Sequence, residues 1–102
     1  MREYKFKRGY EASEERLREL MLKHFGNCEE NDGIYVARFG AIEELRAWIK
    51  EKKLYVETKT NPNVDEETAM KTIKIYNKFI EELTGYSAKE RKKMLMKSVE
   101  GV

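Results

Sequence analysis

The chain has 102 residues, 40% of them hydrophobic and 39% charged, and its 21 Lys and Arg against 19 Asp and Glu leave a formal net charge of +2. That length suits one domain with its own core and is short for two. No apolar run approaches the roughly 18 residues of a membrane span, nothing reads as a secretion signal, and Cys28 as the only cysteine excludes an internal disulfide or a multi-cysteine metal site, so a cytoplasmic protein is expected.

Residues 3–8 alternate, with Tyr4 and Phe6 on one side and Lys5 and Lys7 on the other, which predicts a half-buried strand. Ser13 is placed to cap a helix whose first turn carries Glu14 and Glu15. Leu17, Leu20, Met21, His24 and Phe25 recur at helical spacing until Gly26-Asn27 stops it. Residues 28–39 read as a hairpin turning at Asn31-Asp32-Gly33, and Gly40 permits a second reversal.

Residues 41–50 support two readings. Ala41, Glu43, Glu44, Leu45 and Ala47 are good helix formers. Yet Leu45, Ala47 and Ile49 alternate with Glu44, Arg46 and Trp48, as a strand requires. The strand is favoured, because the clear strand 54–60 that follows the Glu51-Lys52-Lys53 turn would otherwise expose a free edge. Asn61-Pro62-Asn63 ends the sheet, and Asp65, Glu66 and Glu67 start a long helix with Met70, Ile73, Tyr76, Ile80 and Leu83 on one stripe. Gly85 closes that helix. Ser87-Ala88-Lys89-Glu90 has the capping-box pattern, opening a short basic helix that runs to about Val99. The expectation is one α+β domain over residues 1–102. It is a two-layer α/β sandwich, with a mostly antiparallel five-stranded sheet and the larger helices on one face.

Three stretches carry a family resemblance: Lys52-Lys53-Leu54-Tyr55-Val56-Glu57-Thr58, then Asp65-Glu66-Glu67-Thr68-Ala69, then Thr84-Gly85-Tyr86-Ser87-Ala88-Lys89-Glu90-Arg91. In these the chain resembles a small family of archaeal proteins described as a domain of unknown function, and the likeness covers most of its length. The resemblance implies a two-layer α/β sandwich, which supports a strand over residues 44–50, and it implies no activity. The element order is also similar to one half of the TATA-binding-protein fold, a likeness of topology that leaves function open.

Catalytic and metal chemistry find little footing. His24 is the only histidine and falls on the apolar stripe of the first helix, where a hydrogen-bonded, partly buried side chain is expected. Cys28 lies near it along the chain, but a Cys–His pair needs a third orienting group and a pocket. Glu29-Glu30 and Asp65-Glu66-Glu67 lack the spaced oxygen ligands of a calcium loop, and the second group is explained by a helix start. The glycines stand singly, so no phosphate-cradling loop is read. A non-enzymatic protein without metal or cofactor is expected.

The open face of the sheet is the main candidate surface. Strand alternation sends Lys5, Lys7, Arg46, Trp48, Tyr55, Glu57 and Lys59 away from the helices. Aromatic rings among basic groups suit single-stranded nucleic acid, with Lys89, Arg91, Lys92, Lys93 and Lys97 extending the track. Against that, Glu44 and Glu57 share the face, and one solvated face is ordinary for an antiparallel sheet. Trp48 at the centre of the face would equally serve a homo-oligomer or a protein partner. Met94, Leu95, Met96 and Val99 form a second apolar patch for a partner. A protein-interaction module is therefore the leading expectation, with nucleic-acid binding and a small ligand between sheet and helices as alternatives.

Overall fold

The computed structural model describes residues 2–93. In chain order it contains β1 (Arg2–Lys5), α1 (Glu14–Phe25), β2 (Glu29–Asn31), β3 (Ile34–Phe39), β4 (Ile42–Lys50), β5 (Lys53–Thr60) and α2 (Glu66–Thr84). Residues 88–93 are again helical. The strands form one sheet in the order β1-β5-β4-β3-β2, antiparallel at every pairing. This is the strand, helix, four-strand, helix, short-helix order that the sequence patterns predict. The proposed continuation of the last helix, with Met94, Leu95, Met96, Lys97 and Val99, lies outside the described residues.

Local signals explain α1. The Ser13 hydroxyl accepts the Arg16 N–H at 3.3 Å, and Gly26 closes the helix by donating its N–H to the Leu22 carbonyl. Leu17, Met21 and Phe25, four residues apart, form its buried stripe. They meet Phe79, Ile80 and Leu83 of α2 above Tyr35, Ala37, Leu45, Ala47, Leu54 and Val56 of the sheet. Each fully buried large side chain contributes about 1.5–3 kcal/mol, so this layer between helices and sheet carries the fold. Phe25 anchors it from the middle, its ring 4.9 Å from that of Phe79 and 5.8 Å from that of Phe39.

β4 is the middle strand of the sheet. It pairs with β3 through Tyr35↔Ala47 and with β5 through Ala47↔Val56 and Trp48↔Tyr55. Its good helix formers are overruled because hydrogen-bonding partners on both edges and a buried face at Leu45 and Ala47 outweigh a few tenths of a kcal/mol of propensity per residue. The β2–β3 turn uses Asp32 and Gly33 at positive φ. The β4–β5 turn puts Glu51 and Lys52 at φ 52° and 62°, although neither is a glycine. The turn is thus two residues long, and Lys53 already belongs to β5.

The apolar stripe of α2 differs from the expected one. Tyr76, Ile80 and Leu83 face the core as predicted, but Met70 and Ile73 are 64% and 61% exposed. Steps of three residues drift by about 60° each on a helix with 3.6 residues per turn, so 70–73–76 rotates off the buried face. Thr72 and Phe79 take that face instead. Thr72 is buried with both hydroxyl roles filled, accepting the Ala41 N–H at 2.9 Å and donating to the Thr68 carbonyl at 2.7 Å. Gly40 makes this approach possible: a Cβ on it would overlap the Thr72 hydroxyl, and its φ of +52° disfavours any side chain. Among the described residues, no helix is long and apolar enough to cross a membrane.

Candidate functional site

Strand register arranges the open face in rows. One row runs Glu3–Tyr55–Trp48 across β1, β5 and β4, and continuing the β3–β4 register sets Ile34 beside Trp48. On one side of it lies Lys5–Lys53–Lys50, and on the other Glu57–Arg46–Val36–Glu29. Lys59 and Glu44 pair farther along. The rings of Trp48 and Tyr55 stack with centroids 5.9 Å apart and planes 11° from parallel. These two and their neighbours Ile34 and Val36 are half-buried without any helix above them. The face thus has an apolar centre in a charged surround, and the surround holds both signs. Lys53 meets the Glu3 carboxylate at 3.0 Å, a hydrogen bond that holds the ammonium pKa above its ordinary value. Lys59 lies 4.0 Å from the carboxylate of Glu43.

Of the basic residues assigned to this face, Lys5, Arg46 and Lys59 lie on it with Trp48 and Tyr55. Lys7 and Arg91 do not. Lys7 follows β1 and turns toward the end of α2: its N–H donates to the Thr84 carbonyl at 2.7 Å, and its ammonium lies 3.6 Å from Glu90. Arg91 donates to the Tyr86 carbonyl at 2.6 Å and to Asn77 Oδ1 at 2.8 Å, with its guanidinium 5.6 Å from the Tyr4 ring centre. Tyr4 partners Leu54 on the core side of the sheet. Arg91 therefore ties the last helical segment to α2 and β1 in the helix layer, and the exposed Lys89, Lys92 and Lys93 belong to that segment. Among the described residues, the basic helix does not extend the open face. Conversely, Lys50 and Lys53 lie on it unanticipated, although alternation outward from Trp48 and Tyr55 marks both.

The remaining candidate residues have structural partners. His24 Nε2 lies 3.4 Å from Glu82 Oε2, with its side chain 12% exposed and its ring edge-on to Phe79. The same carboxylate receives the Lys23 ammonium at 2.7 Å. That hydrogen bond, opposed by burial and aided by His24, holds the Glu82 pKa below its ordinary value. Cys28 is half-buried with its sulfur 3.9 Å from that of Met21, and burial pushes its thiol pKa up, against nucleophilic use. Glu90 and Ser87 bond reciprocally as a capping box, at 3.2 and 3.1 Å. Among the described residues, no three His, Cys, Asp or Glu side chains gather to hold a metal ion. Arg16, which sequence reasoning passed over, binds the carbonyls of Glu82 and Leu83 at 3.1 and 3.2 Å and so joins α1 to the end of α2.

A family model described as a domain of unknown function (DUF5611) matches residues 1–97. Among solved structures, the chain is similar to the NMR solution structure of hypothetical protein TA0095 from Thermoplasma acidophilum, with a TM-score of 0.70 and 32% identity over 93% of this chain and 97% of that one. No curated protein matches the chain.

Proposed function

The chain belongs to the family described as a domain of unknown function (DUF5611), and we propose that within it this protein is a non-catalytic interaction module that self-associates through the open face of its sheet. One observation carries the reading: Trp48 and Tyr55, with Ile34 and Val36, form an apolar centre uncovered by the helices and surrounded by charges of both signs. An apolar centre in a polar rim is the anatomy of protein interfaces, and tryptophan and tyrosine are the residues that dominate their energetics.

A second copy suits this face by charge. Lys5, Lys50 and Lys53 line one side of the aromatic row, and Glu29 and Glu57 stand on the other with Arg46 between them. A two-fold axis along the row would set Lys53 of one copy over Glu57 of the other, while Lys50 and Arg46, both basic, would have to sit apart. Five strands about 4.8 Å apart make a face roughly 24 Å across, at the small end for a specific interface, so micromolar association is expected. Single-stranded nucleic acid has less support. The two rings already cover one face of each other, and Glu3, Glu44 and Glu57 oppose phosphate.

Emission of Trp48, the single tryptophan, gives the test. Dilution through the micromolar range should shift it as the indole is uncovered, while adding oligonucleotides at low salt should leave it unchanged. Emission independent of protein concentration, or quenched saturably by an oligonucleotide, would overturn the reading.

A further inference from the structure

The helix layer holds a second feature, on the side of the sheet away from Trp48. A groove of about 380 Å³ opens between the β1–β5 end of the sheet and the middle of α2. That volume is at the lower end of small-molecule sites. Arg2, Thr58 and Thr60 border it from the strands, while Ile73 and Asn77 border it from α2, with Ile42 beneath.

The chemistry of its walls is one-sided. Acidic residues are 19 of the 102 in the chain, yet none lines this groove. Among the described residues, no carboxylate pairs with Arg2; its guanidinium lies beside the hydroxyls of Tyr4 and Tyr76, which hold its pKa above the ordinary value. The Asn77 carbonyl oxygen is taken by Arg91 at 2.8 Å, which leaves its amide N–H groups as what it offers. Tyr76 shares a 2.8 Å hydrogen bond with Tyr4, and burial pushes its phenol pKa up, so it stays neutral beside Arg2. A guanidinium, an amide and threonine hydroxyls therefore line the same groove as apolar Ile42 and Ile73.

We propose that this groove binds a small organic carboxylate, its head on Arg2 and Asn77 and its aliphatic body along Ile42 and Ile73. Guanidinium recognises carboxylate through two parallel hydrogen bonds, and the isoleucines cover a chain of a few methylenes. Because groove and open face lie on opposite sides of the sheet, either assignment can fail without the other.

The test is a titration of the full-length, isotopically labelled chain with octanoate, followed by amide chemical shifts and compared with octanol. Octanoate should shift Thr58, Thr60, Ile73 and Asn77 along one saturable curve, and octanol should not match it. Arg2→Gln should weaken binding by about tenfold or more. Asn77→Asp, which keeps an oxygen for Arg91 but sets a carboxylate in the groove, should weaken it too. Absent saturation, equal binding of octanol, unchanged affinity in both variants, or shifts centred on Trp48 would each overturn the proposal.

Discussion

Trp48 of β4 and Tyr55 of β5 are register partners whose rings stack 5.9 Å apart on the side of the sheet that no helix covers. If the stack is a true cross-strand interaction, the double-mutant cycle of Trp48→Ala and Tyr55→Ala should give a coupling of about 0.5–1.5 kcal/mol. Urea denaturation at protein concentrations below self-association would measure it. A coupling near zero would reduce the pair to two independent side chains.

Gly40 is the point where the β3–β4 turn reaches α2. Gly40→Ala combines a disfavoured positive φ with overlap on the Thr72 hydroxyl, and it should destabilise the fold by about 2–3 kcal/mol. Adding Thr72→Ala should not restore stability, because the Ala41 N–H then loses its acceptor. Full recovery in the double variant would show that steric overlap is the whole effect.

The β4–β5 turn should be improvable. Glu51 and Lys52 both sit at positive φ, the conformation that Asn-Gly adopts at least cost in a two-residue hairpin. The double change Glu51→Asn, Lys52→Gly should stabilise the protein by about 1 kcal/mol and raise the melting temperature. An unchanged or lowered temperature would argue against this turn geometry.

Glu82 makes stability depend on pH with a defined sign. Lys23 holds its carboxyl pKa below the ordinary 4.5 in the folded chain. The stabilisation is therefore present above about pH 4.5 and lost as pH falls through the lower folded value. Glu82→Gln should be less stable than the parent at pH 7, with the difference shrinking below pH 4.5. A difference that persists at pH 2 would assign the loss to packing instead.

Much of the fold is legible in the residues. Ser13, Gly26, Gly85 and the Ser87–Glu90 box act through bonds within a few residues, so local pattern finds them. Strand alternation resolves β4 against its own helix propensity, because burying Leu45 and Ala47 sets its partners. The failures are tertiary. Met70 and Ile73 look like core on α2, but Thr72 takes the buried position because Gly40 admits it. Lys7 and Arg91 look like part of a basic track until Glu90, Tyr86 and Asn77 draw them into the helix layer. The groove beside Arg2 is built from three strands and a helix distant in sequence, and no local pattern announces it.

The most direct test of self-association through the open face is sedimentation equilibrium of the parent chain and of Trp48→Lys, with circular dichroism confirming that both are folded. The parent should show a reversible dimer in the micromolar range. Trp48→Lys, which sets an ammonium at the centre of the face, should stay monomeric across the same concentrations. A parent that is monomeric throughout, or a variant that dimerises equally well, would contradict the assignment of this surface.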